Sequence, residues 1–167
     1  MPRKGHEGRE DLIGEHRWGD AGQMILLVLF LVVWIADSFI FKFSTFLSST
    51  IPVTIRIPVG IMILILSGIL AKKNLDIVFG EVREKPEVIR KGAFKRMRHP
   101  VYVSSILLYV PFILFTMSIL SFTLWIFIIL FYFIISRYEE KLLVKHFGDD
   151  YIAYMKEVPM WIPVRLK

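Results

Sequence analysis

Apolar residues in this chain fall in blocks long enough to cross a bilayer, and that leaves few folds open. The stretches "GQMILLVLFLVVWIADSFIFKF" (22–43) and "PVTIRIPVGIMILILSGILA" (52–71) each supply the roughly 20 apolar residues that a helix needs to span about 30 Å of hydrocarbon. A third block, 101–136, would make one helix of roughly 54 Å, so it is expected to fold back near "TMSILS" as two shorter spans. The fold expected is therefore all-α. It is an integral membrane bundle of about four helices, spanning near 22–43, 52–71, 101–117 and 121–138, with the last two forming a hairpin.

The first block is too long, and the charges before it too mixed, for a cleaved secretory signal, so a retained helix is expected. Residues 1–21 read as a polar arm, with Trp18 as an interfacial anchor, ahead of a single domain over 22–167. The chain has no cysteine, which excludes disulfides, thiolate metal ligands and a cysteine nucleophile. His6 and His16 sit far apart in the arm, so no metal site is expected.

The formal net charge of +6 raises the question of nucleic acid, but the distribution of the charge answers it. Of 21 Lys and Arg, four precede the first span, nine lie from Lys72 to Arg98, and six follow from Arg137 onward. Only Lys42 and Arg56 belong to the other side. With four spans the three basic segments share one face, which the positive-inside rule makes cytoplasmic, together with both termini. Topology and anionic headgroups account for the charge, and no nucleic-acid partner is expected.

The connection "KKNLDIVFGEVREKPEVIRKGAFKRMRHP" carries Gly80, Pro86, Gly92 and Pro100 at spacings that break helix, so an irregular segment against the membrane surface is expected. Between the first two spans "SSTIP" reads as a turn, with Pro58 in the first turn of the second helix. Beyond the fourth span, Leu142, Leu143 and Phe147 keep helical spacing up to Gly148, a left-handed cap. Asp149 or Asp150 then caps a short last helix with Tyr151 and Tyr154 on one face.

Two polar constellations stand at the edge of the hydrocarbon. In "RMRHPVY", His99 and Tyr102 lie three apart at a helix start beside the cation Arg98, a mouth suited to a carboxylate or phosphate. In "RYEE", 137–140, carboxylates leave the last span where they are costly unless paired or functional. Both emerge on one membrane face. A pocket with cations on one wall and carboxylates on another matches a ligand that is zwitterionic and also cationic. Asp37, within the first span, is expected to reach headgroups or Lys42, and Ser67 and Gly68 to allow close helix packing.

"GAFKRMRHPVY" followed by "EEKLLVKHFGDDYIAYMKEVPMWIP" resembles the isoprenylcysteine carboxyl methyltransferase and phospholipid methyltransferase family of integral membrane enzymes. Their pattern reads G-x-Y-x-x-x-R-H-P-x-Y, then E-E-x-x-L-x-x-x-F-G-x-x-Y-x-x-Y, and the likeness runs over 86–163. The resemblance implies S-adenosylmethionine as cofactor, bound on the cytoplasmic side by Val88, Ile89, Phe94, Arg98, His99, Pro100, Val101, Tyr102, Glu139 and Glu140. It implies a lipophilic or lipid-modified acceptor that enters from the bilayer, with membrane lipids as partners.

Three positions depart from the pattern: Phe94 stands for Tyr, Pro86 for the first residue of an upstream H-x-L-V, and Ile135 for an Arg four residues before Glu139. The acceptor is therefore left open between an isoprenylcysteine-like carboxylate and another membrane-soluble molecule: a phospholipid amine, a small thiol or a quinone-like lipid. An ammonium acceptor would need a base, for which Glu140, His146 and Tyr154 are candidates, with Arg137 a further candidate for the chemistry. Two competing readings are an NADPH-dependent sterol-reductase-like enzyme, from "HPVY" and "VPMWIP", and a non-catalytic membrane scaffold.

Overall fold

The computed structural model describes residues 19–80 and 86–162; residues 1–18 of the expected arm, with His6, His16 and Trp18, lie outside them, and its last three residues open the first helix. Five α-helices follow one another: α1 (Gly19–Ile35), α2 (Val53–Phe79), α3 (Pro100–Thr116), α4 (Ile119–Phe147) and α5 (Asp149–Glu157). The described residues contain no strand. Three segments are long and apolar enough to cross a membrane: Ala21–Phe41, which extends α1 by a π-helical turn, then α2 and α4. α3 is the shorter apolar helix, 17 residues long.

α3 and α4 form the expected hairpin. Its turn is two residues: Met117, with φ of 55°, and Ser118, whose hydroxyl accepts from the Ser121 amide and caps α4. α3 is the centre of the bundle, with α2 along one side and α1 and α4 on the other. Phe30 of α1 is fully buried, its ring edge-on to Tyr109 of α3 at 4.8 Å. Trp34 of α1 donates its indole N–H to the Phe112 carbonyl at 2.8 Å. The outward faces, such as Met24, Val28 and Val32 of α1 and Ile61 and Ile65 of α2, stay exposed, as a lipid-facing surface requires.

α2 meets α3 along a stripe of small and polar residues, Arg56, Gly60, Ser67 and Asn74, all buried. Lipid supplies no hydrophobic drive between helices, so such stripes associate by close approach and buried hydrogen bonds. A Cβ on Gly60 would come within 2.3 Å of the Phe115 ring, so this is where the backbones touch. Gly68 packs against nothing, contrary to expectation, because the stripe repeats at seven residues through Ser67 and leaves Gly68 facing out. Arg56 Nη1 donates to the Phe115 carbonyl at 2.9 Å, one of the carbonyls α3 leaves unpaired at its end.

Several expectations need correction. α2 runs on to Phe79 instead of giving way near Lys72, since no breaker intervenes before Gly80 and the extra turns bury Asn74 against α3. Pro58 is the sixth residue of α2, because the helix starts directly after Pro52. Asp37 reaches neither headgroups nor Lys42. It is 2% exposed and accepts from the Ser44 amide at 2.9 Å and from the hydroxyls of Ser44 and Ser118, tying the α1–α2 connection to the hairpin turn. Gly148 has the positive φ expected, 57°, but its ψ of −129° lies outside the left-handed helical basin, in territory that glycine alone occupies readily. Gly148 also serves as N-cap of α5, so Asp149 and Asp150 fall in the first turn, where they oppose the helix dipole without capping it.

Candidate active site

The polar constellations of the connecting segment and of α4 meet at one end of the hairpin. His99 stands at the N-cap position of α3, with its side chain turned away from the free amides, and Pro100 fills the first helical position, where a missing N–H costs nothing. One turn on, Tyr102 lies parallel to the His99 imidazole, with ring centroids 5.6 Å apart. α4 runs antiparallel to α3 and delivers Glu139 and Glu140 opposite this turn. The Tyr102 hydroxyl donates to Glu139 Oε1. The imidazole bridges the pair, Nδ1 3.7 Å from Glu139 Oε2 and Nε2 3.4 Å from Glu140 Oε1. His99, Glu139 and Glu140 are 7%, 12% and 3% exposed.

Arg98 locks this arrangement from below. Its Nε donates to Glu140 Oε1 at 2.7 Å, and its Nη1 donates to the carbonyls of Met155 and Val158 at 2.9 and 2.6 Å. One guanidinium thus binds the α4 carboxylate and the unpaired carbonyls at the end of α5 together. The backbone continues the clasp: the amides of Arg98 and His99 donate to the carbonyl of Met160 at 3.1 Å each. The tail then folds back on α4, where the Trp161 indole donates to Ser136 Oγ at 3.3 Å.

A second layer lies beyond Arg98. Tyr151, Tyr154 and Val158 form a buried cluster against which Val88, Leu143, Val144 and Met155 pack. The Tyr154 hydroxyl donates to the Phe94 carbonyl at 2.6 Å. Burial pushes that hydroxyl up to about 12, although Arg98 and Arg90 pull the other way, and burial raises Tyr151 as well. Arg90 donates to Asp150 Oδ1 at 2.7 Å and lies over the Tyr154 ring, fastening the connecting segment to α5.

Of the residues singled out from sequence, Arg98, His99, Tyr102, Glu139 and Glu140 come together. Pro100 and Val101 form the first turn of α3, buried and half-buried. Phe94 and Val88 belong to the Tyr154 layer, and Ile89 is half-buried beside Val88 in the chain. Arg137 stands over the far side of Glu140, with Nη1 3.8 Å from Oε2, and is itself 56% exposed. His146 is exposed, edge-on to Phe147, and touches none of these groups.

Asn74 escaped the sequence reading. Its amide, 3% exposed, donates to the Pro100 carbonyl at 3.1 Å and to Ser104 Oγ at 3.0 Å, holding the first turn of α3 from α2. Its spacing of seven from Ser67 on an otherwise lipid-facing helix was the available signal.

The cluster is chemically suited to a cation. Glu139, Glu140 and Arg98 carry one net negative charge between them, and aromatic faces adjoin it. Among the described residues three buried side-chain atoms lack a hydrogen-bond partner: Nε2 of His99 and Oε2 of Glu140 in this cluster, and Nε of Arg56 on α2.

No curated protein matches the chain. The family model described as phospholipid methyltransferase matches residues 53–150, from the start of α2 to the first turn of α5. Because that match spans more than half of the 167 residues and runs through both walls of the cluster, this integral membrane chain belongs to the phospholipid methyltransferase family, whose members are membrane methyltransferases.

Proposed function

We propose that this protein transfers a methyl group from S-adenosylmethionine to a lipophilic acceptor at the cytoplasmic face of its membrane. The observation that carries the reading is the convergence of His99 with Glu139 and Glu140: two helix ends far apart in sequence build one buried, net-negative cluster. The basic segments that flank it support the cytoplasmic assignment of this face and of both termini.

When bound, the cofactor supplies an activated methyl group on a sulfonium, so the protein's task is alignment and electrostatics. Glu139 and Glu140 offset the sulfonium charge, and Tyr102 holds Glu139 in place through its hydroxyl. Arg98 positions Glu140 and keeps the carboxylate pair from carrying two uncompensated charges. His99 lies between them as a donor or acceptor for the cofactor. Asn74 steadies the turn that carries His99 and Tyr102. Tyr154 keeps its proton at neutral pH and donates to a carbonyl, so it is a positioning group and not a base. His99, Glu139 and Glu140 are the groups that stand together to take a proton from an ammonium acceptor, whereas a carboxylate or thiolate acceptor needs no base.

The test is ligand-dependent stabilisation in detergent followed by methyl transfer. S-adenosylhomocysteine is expected to raise the melting temperature by mass action, and NADPH is not. His99→Ala and Glu139→Gln are expected to abolish that rise while the protein still inserts in membranes. Labelled S-adenosylmethionine is then offered with lipophilic acids, amines and thiols, and label is expected in one class. Stabilisation by NADPH alone would overturn the reading in favour of a reductase, and stabilisation by neither ligand would leave a lipid-binding scaffold.

A further inference from the structure

The end of the bundle away from the cluster holds a buried cation without an acid partner. Lys42 and Arg56 are the basic residues of that end; Lys42 is exposed, whereas Arg56 is only 8% exposed. Among the described residues its guanidinium makes one hydrogen bond, from Nη1 to the Phe115 carbonyl, and its Nε is buried without a partner. The first turn of α2 carries no acid. Asp37, the buried acid of this end, is engaged instead by the Ser44 amide and by the hydroxyls of Ser44 and Ser118. A buried cation at the edge of hydrocarbon is costly unless an anion meets it.

Nη1 is the guanidinium nitrogen on the Cδ side, so its bond to Phe115 leaves the opposite edge intact. On that edge N–H groups of Nε and Nη2 lie parallel, a fork that fits two oxygens of one anion. Arg56 is the fourth residue of α2, and helical side chains lean toward their own N-terminus, which brings the fork to the level of the first turn. That turn opens on Pro52 without a side-chain cap, so free amides and the positive end of the helix dipole share the same layer.

Depth and surroundings select the anion. α2 rises roughly 27 Å from Arg56 to Asn74, which holds the turn carrying His99. Hydrocarbon is about 30 Å thick, so Arg56 lies at the border opposite the cluster, where lipid phosphates begin. The surface around it is apolar: Val53 and Ile55 are each 55% exposed, and Phe46 of the preceding turn is 67% exposed. An anion that carries acyl chains covers such a surface, and a soluble one does not.

We infer that the Nε–Nη2 edge of Arg56 is a phospholipid-headgroup site, which takes the phosphate of a lipid in the leaflet opposite the cluster. The phosphate neutralises the guanidinium and satisfies Nε, while Nη1 keeps the Phe115 carbonyl. One side chain then ties the lipid to both α2 and α3, as Asn74 ties the two helices at their other end. The site stands independently of the methyl-transfer reading.

The experiment follows the melting temperature of the full-length protein in dodecyl maltoside during titration with dioleoyl phosphatidylcholine, with dioleoylglycerol, which keeps the chains and lacks the phosphate, and with inorganic phosphate. Phosphatidylcholine has no net charge, so the basic segments near the cluster contribute little to its binding. Wild type is expected to gain several degrees with phosphatidylcholine and not with the other two. Arg56→Lys, which keeps the charge and loses the fork, is expected to need about tenfold more lipid for the same gain, and Arg56→Gln to show none. Lys72→Gln, an exposed cation near the other end, is expected to respond as wild type.

An equal gain from dioleoylglycerol would show that the chains alone bind, an equal gain from inorganic phosphate that the anion is soluble, and a full gain in Arg56→Gln that the phosphate binds elsewhere; each overturns the site. So does a wild type that gains nothing from phosphatidylcholine. Should the Arg56 variants not fold, phosphatidylcholine spin-labelled at its headgroup and added at one lipid per protein decides on wild type. Trp34, whose indole is bound at the end of α3, is expected to lose its fluorescence, identified by difference from Trp34→Phe, and undiminished Trp34 emission overturns the site.

Discussion

Arg98 and Glu140 form a charge-assisted hydrogen bond of 2.7 Å between side chains that are 8% and 3% exposed, joining the start of α3 to the C-terminal part of α4. The pair is buried, so removing one member strands the other charge in a poorly solvated place. Arg98→Ala is expected to cost about 3–5 kcal/mol of stability, read as a lower melting temperature in detergent. Arg98→Lys is expected to recover little of it, because an ammonium lacks the fork that reaches Glu140, Met155 and Val158 together. A melting temperature within error of wild type for Arg98→Ala would show that the clasp carries no stability.

Gly60 is where α2 and α3 touch. A larger side chain there meets the Phe115 ring and forces the helices apart, loosening the Arg56 bond to the same residue. Gly60→Val is expected to destabilise the bundle by about 1–3 kcal/mol, while Gly68→Val, facing open space, stays near wild type. Thermal melts of the two variants side by side check the pairing, and equal effects would contradict it.

Asp37 clamps the far end of the bundle through Ser44 and Ser118, well away from the Glu139–Glu140 cluster in α4. Asp37→Asn exchanges a carboxylate oxygen for an N–H facing hydroxyl donors and is expected to cost about 1–3 kcal/mol. Methyl transfer by the folded fraction is expected to persist. Total loss of activity in protein that still melts cooperatively would bring this end of the bundle into the reaction.

Tyr154 sets a limit at alkaline pH. Its hydroxyl titrates near 10 in an unfolded chain and at about 12 when folded, so between these values the unfolded chain has already lost a proton that the folded one retains. Stability from this group is therefore complete below about pH 10 and is lost as pH rises toward 12. Tyr154→Phe is expected to be less stable at neutral pH by about 1 kcal/mol, for the lost bond to the Phe94 carbonyl, and to fall less steeply above pH 10. Melting temperatures of both proteins across pH 8–12 provide the measurement, and parallel curves would contradict it.

Much of this molecule follows from local chemistry. Hydrocarbon forces unbroken apolar blocks into helices, so the spans, the hairpin turn at Met117–Ser118 and the end of α4 at Gly148 are legible from composition, spacing and glycine alone. The pairing of "RHPVY" with "EE" was legible through its likeness to a family. Other features were not, because they depend on which face of one helix meets another. α2 extends past Lys72 because Asn74 finds Pro100 and Ser104, and Asp37 is buried because Ser44 and Ser118 arrive from two separate turns. A periodic pattern is faint in a helix whose lipid face and packed face are both apolar, so the stripe of Arg56, Gly60, Ser67 and Asn74 emerges only when α3 is laid against it. The sequence by itself determined the helices and the charges at their ends. Tertiary structure alone decided that Glu140 would turn one oxygen to Arg98 and bury the other without a hydrogen bond, because side chains 42 residues apart acquire an orientation only through the packing between them.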